Sequence, residues 1–407
     1  MRVMFLGFAV SDAMFHEVLS SDRGLPVQTQ RFGWSVARAL RQADIEVDLV
    51  SAEPRTDYPH NTRLIVRGRP FREGSVDGES ISFVNFIGLK HLTRYASAQR
   101  VATRHGQTRP DAIIVHGVHS PFLWVGLRLG HRWAVPVITI LTDAPSPRTA
   151  YDNRIAVALK AVDRMLIRRA LGVMDGVIAL APTLIEELAP GRPNMLLEGI
   201  APDLPIALMT DRPEGRPPLV VYAGGLHESY GVTDLLQSVR LAQAEWRLRI
   251  YGRGPAEAEI LRAAERDERI EFAGSVTPDE MISAYAAADV LVNPRPPDNK
   301  LAITSFPSKL LEYLATGVPV VSTDLPTLPP DYRDHLTIAR AGARGLAEAI
   351  DEVVRQDLAV RVNRGQRARA FILGTRGSKP QGLAIKAFIH EVGSAAQVRD
   401  RQRSKRP

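Results

Sequence analysis

Short apolar runs alternate with amphipathic stretches along the chain, a pattern that predicts alternating strands and helices. Most of the runs are continuously apolar, which is typical of parallel strands that are covered on both faces. In the first half the predicted strands are VMFLGFAV, IEVDLVS, DAIIVHG, VPVITILTD and DGVIALA. Helical spacing of apolar residues marks Thr29 to Arg41 and the segment PTLIEEL. The first half therefore predicts a doubly wound α/β domain.

A proline-rich stretch from Pro190 to Pro218 interrupts this pattern and predicts a linker near residues 200–217. After it the alternation starts again, with predicted strands LVVYAGG, WRLRIYG, RIEFAG, DVLVNP and VPVV. Two such halves would face each other across a cleft, with ligands at the carboxyl ends of the strands. The predicted divisions are a first domain 1–205, a second domain 206–377, a helix 378–396 and a basic tail 397–407.

Length and composition agree with two domains and exclude several classes of site. A chain of 407 residues, 45% of them hydrophobic, is too long for one core and suits two domains of about 200 residues. No apolar run approaches the ~18 residues of a membrane-spanning helix. The run from Val3 to Val10 lacks a small-residue cleavage site, which favours a buried strand over a signal peptide. The sequence has no cysteine, so disulfides, thiolate metal sites and cysteine nucleophiles are excluded, and a cytosolic protein is favoured.

Polar residues follow two predicted strands of the first half. His116 comes directly after one strand, with His119 three residues on, and Asp143 follows another. Each has a structural alternative, because a histidine at a strand end often only hydrogen-bonds within the protein and an aspartate there often caps a turn. No carboxylate stands at metal-ligand spacing beside the histidines, so no metal site is predicted.

In the second half, the segment YAGGLHESYGV joins a strand to a helix. Gly224, Gly225 and Gly231 permit close backbone approach to a ligand, and the helix start offers free N–H groups and a partial positive charge. The segment matches neither a Walker loop nor G-x-G-x-x-G. A plain tight turn is therefore an equal alternative to an anion-binding loop.

Three cations follow strands of the same predicted sheet: Arg253 in YGRGP, Arg295 in LVNPRPP and Lys309 in SFPSKLL. Singly, each arginine suits an ordinary surface position. Together the three would form a basic rim, which suits a diphosphate because a diphosphate needs both charge and directed donors. The net charge of +7 likewise favours anionic partners: phosphorylated small molecules, nucleic acid or an acidic membrane face.

The segment TSFPSKLLEYLATGVPVVST predicts two helical turns that end at Gly317 and a strand after them. The leucines of the helix form its buried face, and Glu312 lies away from them. Ser308 is a suitable N-cap. Lys309 and Glu312 are one helical turn apart, so they either pair in solvent or face a ligand.

These motifs, in this order, resemble the retaining glycosyltransferases of family 4, which have the GT-B architecture of two Rossmann-like domains facing a central donor cleft. This architecture implies that the helix 378–396 crosses back to the first domain. The resemblance spans most of the chain and is strongest from Tyr222 to Thr323. The matching segments are Y-A-G-G-x(5)-G-V, Y-G-R-G-P, F-A-G-S-V, A-D-V-L-V-N-P and S-F-P-S-K-L-L-E-Y-L-A-T-G-V-P-V-V. QRFGW, TDAPS and EGI resemble segments of the subgroup that builds bacterial exopolysaccharides and surface polysaccharides.

The resemblance implies roles for individual residues around a nucleotide-sugar donor. Glu312 matches the glutamate that holds the ribose hydroxyls of the nucleotide. Ser308 and Lys309 match the helix start that meets the diphosphate. Gly224 and Gly225 match the loop beside the phosphates.

The resemblance also implies residues around the base and the sugar. Gly274, Ser275 and Val276 fall where the family packs the base of the nucleotide. His116 matches the first-domain histidine next to the transferred sugar, and Asp143 falls on the acceptor side.

Two positions depart from the family pattern. Thr304 stands where many members have a glutamate that grips the sugar. The arginine and lysine that usually bind the diphosphate would fall at Gly225 and Tyr230, so both charges are missing. We expect Lys309 and Arg295 to supply that charge instead.

The implied reaction is transfer of a hexose from a nucleoside diphosphate sugar to an acceptor hydroxyl with retention, in bacterial polysaccharide or glycolipid assembly. Lys309, Arg295 and the helix N-terminus would stabilise the departing diphosphate, and His116 would orient the sugar or stabilise the oxocarbenium-like state. No carboxylate nucleophile is apparent, so the acceptor would attack from the leaving-group side and the diphosphate would take its proton. Neither a cofactor nor a nucleic-acid partner is predicted.

Two alternatives stay open. A nucleotide-sugar epimerase or a phosphorylase of the same architecture would need acid–base carboxylates or a cofactor lysine, and the sequence shows no clear set of either. A non-catalytic partner of a polysaccharide system would keep the fold and lose sugar recognition. Thr304 and the uncharged glycine loop fit that second alternative.

The acceptor is expected to be a saccharide or a lipid-linked saccharide. The segment NRIAVALKAVDRMLIRRAL, which starts at Asn153, is a basic amphipathic helix of the kind that lies on anionic membranes. The alternative is a helix packed on the first domain with its charges in water. We therefore expect a cytoplasmic protein, either free or held at the inner membrane face.

Overall fold

The computed structural model describes residues 1–22, 27–59, 61–142, 154–206, 215–299, 302 and 305–403. The chain forms two compact units. Unit 1 comprises Met1–Ile200 together with Ser378–Pro407, and unit 2 comprises Ala201–Gly377. Each unit is an α/β domain, which confirms the predicted fold class.

Unit 1 is built on a mixed sheet. Its strands are β1 (Arg2–Gly7), β2 (Glu46–Ser51), β3 (Ile65–Val66), β4 (Pro70–Glu73), β5 (Val76–Ser80), β6 (Phe83–Val84), β7 (Ala112–His116), β8 (Val137–Leu141), β9 (Gly176–Ala179) and β10 (Asn194–Leu196). Eight of them form one sheet in the order β10–β9–β8–β7–β1–β2–β5–β4, parallel except for the β4–β5 pair. β3 and β6 pair separately and antiparallel. The apolar pattern does not predict β3 to β6, because they are short or only half-buried.

Helices cover both faces of this sheet. They are α1 (Asp12–Ser21), α2 (Val27–Gln42), α3 (Leu89–His105), α4 (Ser120–Trp133), α5 (Arg154–Leu171) and α6 (Pro182–Leu188). Two large apolar clusters, one on each side of the sheet, form the core. The inner strands β7 and β8 are buried at every residue, which is the reason for their continuous apolar sequences.

Unit 2 has a six-stranded sheet that is parallel throughout. Its strands are β11 (Leu219–Gly225), β12 (Arg247–Arg253), β13 (Ile270–Gly274), β14 (Val290–Asn293), β15 (Val320–Thr323) and β16 (Thr337–Ala339). Its α-helices are α7 (Val232–Leu241), α8 (Glu257–Arg266), α9 (Pro278–Ala287), α10 (Lys309–Thr316), α11 (Gly342–Val354) and α12 (Leu358–Arg376). The order β13–β12–β11–β14–β15–β16 reverses direction between β11 and β14, and ligands of such sheets bind at this switch point.

The last helix, α13 (Ser378–Arg403), belongs to unit 1, as the family resemblance implies. It packs against α2: a Cβ on Gly382 would lie 1.9 Å from the carbonyl oxygen of Ala39, and Lys386 donates a hydrogen bond to the carbonyl of Ala43 at 3.1 Å. The helix continues to Arg403, well beyond residue 396. Most of the predicted basic tail is therefore helical.

None of the helices in the described parts of the chain combines the length and the apolar content that crossing a bilayer requires.

Candidate functional site

The glycine loop of unit 2 follows β11, at the switch point of the sheet. The hydroxyl of Tyr222 donates to the carbonyl of Gly225 at 2.8 Å. Gly231 has a φ of +80°, and a Cβ there would lie 1.9 Å from the carbonyl oxygen of Pro294. The loop after β11 therefore presses against the loop after β14, and only glycine permits this approach.

The end of β12 approaches β11 just as closely. Gly252 has a φ of +143°, and a Cβ there would lie 1.9 Å from the carbonyl oxygen of Gly224. The amide of Leu226 donates to the carbonyl of Arg253 at 2.9 Å. The end of β11 and the loop after it are thus contacted by backbone on two sides, by β12 at Gly224 and by the loop after β14 at Gly231.

Arg295 lies inside this assembly of loops and is only 6% exposed. Its Nη1 donates to the carbonyl of Ser305 at 3.0 Å, and its guanidinium lies 5.1 Å from the ring centroid of Tyr230. Burial lowers the pKa of Arg295. Within the described residues its Nε has no hydrogen-bond partner. Arg295 is thus buried, and the alternative that it is an ordinary surface residue is wrong.

Lys309 and Glu312 form an ion pair on the first turn of α10. Nζ of Lys309 lies 2.6 Å from Oε2 of Glu312, and both side chains are about one-third exposed. The hydroxyl of Tyr285 donates to the same oxygen of Glu312 at 3.1 Å and lies 3.2 Å from Nζ of Lys309. Burial raises the pKa of Tyr285, so the phenol stays protonated and keeps donating. The carboxylate is therefore held from two sides while part of it still faces solvent.

Tyr313 ties α10 to the glycine loop. Its buried hydroxyl donates to the carbonyl of Ala223 at 2.9 Å and lies 2.8 Å from the amide of Ala223, which donates to it. Ala223 directly precedes Gly224, so these two bonds bring the ion pair of α10 beside the glycine loop. The sequence signal was a tyrosine among the leucines of the buried face of this helix.

The other residues that were predicted to bind the nucleotide sugar lie at or near the surface of unit 2. Ser308 is exposed and precedes α10 with helical backbone angles, and its side chain makes no capping hydrogen bond, so the predicted cap is wrong. Arg253 is exposed at the end of β12. Gly274 ends the edge strand β13, followed by the exposed Ser275 and by Val276, which packs against the core. These three therefore lie two strands away from β11.

Two predicted residues, Thr304 and Asp143, lie outside the described residues, and their assignments stay predictions.

In unit 1, His116 is fully enclosed at the end of β7. Its ring lies 5.8 Å from that of Phe5 and 5.7 Å from that of Phe32, and a Cβ on Gly33 would lie 3.1 Å from its Nδ1. Burial lowers the pKa of His116 to about 4, so the ring is neutral at pH 7. Neither ring nitrogen has a partner among the described residues. His116 does not reach solvent, and its contact with a sugar stays a prediction.

The QRFGW segment of α2 explains this enclosure. Gln30 both accepts from the amide of Val10 and donates to its carbonyl, and Nε1 of Trp34 donates to the same carbonyl at 2.8 Å. These bonds fix the loop after β1, while Phe32 and Gly33 contact His116. The segment therefore shapes the carboxyl edge of β1 and β7.

Two buried cations near His119, Lys90 and Arg94, were not predicted from the sequence. Arg94 of α3 is 5% exposed, and its Nη1 lies 3.4 Å from Nε2 of His119. Its guanidinium lies 4.2 Å from the ring centroid of Phe83. Burial lowers the pKa of Arg94 to about 9, so it is charged at pH 7. One turn earlier, Lys90 donates to Oδ1 of Asp57 at 2.6 Å. Unit 1 thus holds positive charge at the carboxyl edge of its sheet.

Among the described residues no group of histidines and carboxylates has an arrangement that would hold a metal ion.

Two family models match the chain in sequence. The Glycosyl transferase 4-like domain matches residues 30–193, in unit 1, and Glycosyl transferases group 1 matches residues 217–356, in unit 2. Between them they account for most of the chain. The chain therefore belongs to the glycosyltransferases, which confirms the predicted enzyme class. No curated protein matches the chain in sequence.

Solved structures show which fold these domains form. Sucrose-phosphate synthase from Thermosynechococcus elongatus has a TM-score of 0.62 at 14% identity, covering 97% of this chain and 100% of that one. α,α-Trehalose 6-phosphate synthase from Burkholderia multivorans has a TM-score of 0.59 at 14% identity, covering 98% of both chains. HepE of Anabaena, in complex with UDP and glucose, has a TM-score of 0.56 at 15% identity, covering 95% and 99%. The protein is a glycosyltransferase with the GT-B fold of two Rossmann-like domains.

Proposed function

We propose that the protein is a retaining glycosyltransferase of family 4 that moves a hexose from a nucleoside diphosphate sugar to an acceptor hydroxyl. Its pathway would be the assembly of a bacterial polysaccharide or glycolipid. The observation that carries the proposal is the Lys309–Glu312 pair, which Tyr313 holds beside the glycine loop at the switch point of unit 2. The similarity to HepE, which was solved with UDP and glucose, supports a nucleotide-sugar donor.

In this proposal binding of the donor nucleotide separates Lys309 from Glu312. The carboxylate of Glu312 accepts hydrogen bonds from the ribose hydroxyls, and Lys309 turns to the diphosphate. Negative charge develops on the diphosphate as the glycosidic bond breaks, and Lys309, the buried Arg295 and the N-terminus of α10 stabilise it. The acceptor oxygen forms the new bond on the same face, and its proton passes to the departing diphosphate.

A panel of nucleoside diphosphate sugars tests this function. We expect slow hydrolysis of one of them without an acceptor, releasing the nucleoside diphosphate and a sugar whose first-formed anomer keeps the donor configuration. NMR during the first turnovers measures both products. An inverted anomer would refute retention, and failure to bind any nucleoside diphosphate would favour a non-catalytic GT-B partner.

Replacing Glu312 with alanine tests the ribose assignment. We expect the Kd of the nucleoside diphosphate to rise about 10- to 100-fold, because hydrogen bonds to a charged group contribute about 1.5–3 kcal/mol. The change frees Lys309, which by itself would strengthen binding of the diphosphate. Weaker binding therefore identifies a ribose contact, whereas unchanged or tighter binding would mean that Glu312 serves only the ion pair. Calorimetry measures the Kd, with Glu348→Ala as the control on an exposed ion pair of the same unit.

We also assign the acceptor, a saccharide or a lipid-linked saccharide, to unit 1. The buried cations Lys90 and Arg94 at the carboxyl edge of its sheet support an acceptor that carries an anionic group. The protein would work in the cytoplasm at the inner membrane face, with no nucleic-acid partner.

A further inference from the structure

Large apolar side chains are exposed together on one part of unit 1. Strand β3 carries Ile65 and the loop after β6 carries Phe86. The start of α3 carries Leu89 and Leu92, and α5 carries Val162 and Met165. Leu92 is 68% exposed and Ile65 is 66% exposed. Single exposed apolar residues are ordinary on a protein surface, but a concentration of them marks a contact with another molecule. We refer to these six residues as the apolar surface.

The segments that carry Ile65 and Phe86 are joined to each other. Ile65 pairs with Val84 in the β3–β6 ladder. The buried side-chain amide of Asn85 donates to the carbonyls of Thr56 and Arg63, at 2.9 Å and 3.2 Å. These bonds hold the backbone of the two segments together. The apolar side chains that the segments carry are exposed nonetheless.

Helix α5 carries the rest of the apolar surface. Nε2 of His91 on α3 lies 3.7 Å from Oδ1 of Asp163 on α5, and Ser120 of α4 donates to the same carboxylate. Asp163 and Arg164 are half-buried, whereas Val162 and Met165 are exposed. The middle of α5 therefore turns two apolar side chains outward beside half-buried charged ones.

The charges around the apolar surface are mainly positive. Arg168 and Arg169 are exposed on the last turn of α5, and Arg67 is exposed beside β3. The nearby carboxylates have partners: Asp57 pairs with Lys90, and Asp163 accepts a hydrogen bond from Ser120. Contact between two copies of this surface would bring like charges together, which is costly. Anionic headgroups would instead complement these arginines.

We propose that the apolar surface docks unit 1 on an anionic lipid bilayer, with the six side chains in the interface and the flanking arginines against the headgroups. Basic amphipathic surfaces bind bilayers through this combination of buried apolar area and electrostatic attraction. The inference rests on the proposed function, because a lipid-linked acceptor is met at a membrane.

Paired substitutions test the docking. The variants are Ile65→Glu with Leu92→Glu, and Val162→Glu with Met165→Glu. The control is Leu241→Glu with Leu261→Glu in unit 2, which changes the same charge at residues 44% and 50% exposed. The assay is co-sedimentation with phosphatidylcholine vesicles, with and without phosphatidylglycerol. We expect the wild type and the control to bind the anionic vesicles at low salt, and both surface variants to bind about tenfold more weakly.

Three outcomes would overturn the proposal. The first is absence of wild-type binding to vesicles at low salt, and the second is equal binding by the surface variants and the control. The third is a wild-type oligomer, detected by ultracentrifugation, that dissociates to monomers in the surface variants. Donor hydrolysis in solution is measured on the same preparations. The rate of hydrolysis should be equal in all variants. Loss of vesicle binding alone would refute the docking and not the transfer reaction. Loss of hydrolysis alone would refute the transfer reaction and not the docking.

Discussion

Replacing Lys309 with alanine is expected to lower the turnover number about 10²- to 10³-fold. This is the usual cost of removing one donor that meets developing negative charge in a transition state. Nζ of Lys309 lies 2.6 Å from Glu312 in the free enzyme, so it is available beside the glycine loop before the donor binds. Steady-state kinetics with the donor identified by the hydrolysis panel measure the change.

The same substitution needs a second background, because it leaves the carboxylate of Glu312 unpaired next to an incoming diphosphate. Lys309→Ala is therefore also measured in a Glu312→Gln variant. An equal loss in both backgrounds assigns the effect to Lys309 itself. Lys379→Ala, at an exposed lysine of α13, is the control for charge alone. Wild-type turnover of Lys309→Ala would restrict the lysine to the ion pair.

Gly231→Ala is expected to destabilise unit 2 by about 3–5 kcal/mol. The substitution combines a left-handed backbone conformation, φ +80°, with a Cβ placed 1.9 Å from the carbonyl oxygen of Pro294. Relief of that clash must separate the loops after β11 and β14, so nucleotide binding should fall as well. Hydrogen exchange of the β11 and β14 peptides along a urea series measures the stability of unit 2.

Gly274→Ala is the matched control. Gly274 has a similar φ of +69°, but a Cβ there would meet no atom within 4 Å. Only the backbone strain applies, about 1–2 kcal/mol. Similar losses for the two variants would contradict the close approach of the two loops.

The strands that the sequence predicts best are those buried on both faces. β1, β7, β11 and β14 have continuous apolar sequences because helices cover both sides of each sheet, and that signal survives in a single sequence. β3 to β6 have no such signal, since they are short or half-exposed. The return of α13 to unit 1 was predictable from the family resemblance.

The site was predictable where neighbours in sequence are neighbours in space. Lys309 and Glu312 share one helical turn, so their spacing already places them together. Tyr313 meets Ala223 across 90 positions, and no local pattern encodes such a partner. The burial of Arg94 and of His116 likewise depends on tertiary neighbours.

The return of α13 determines the order in which the units are completed during translation. Ile385, Phe388 and Val392 fill the same core cluster as Val36 and other residues of α2 and the sheet. On the ribosome, unit 2 has emerged entirely before any of these side chains is available, and domains generally fold as their segments emerge. A fragment of residues 1–200 would expose the groove along α2 where α13 belongs. The unit that is synthesised first therefore acquires its full core last.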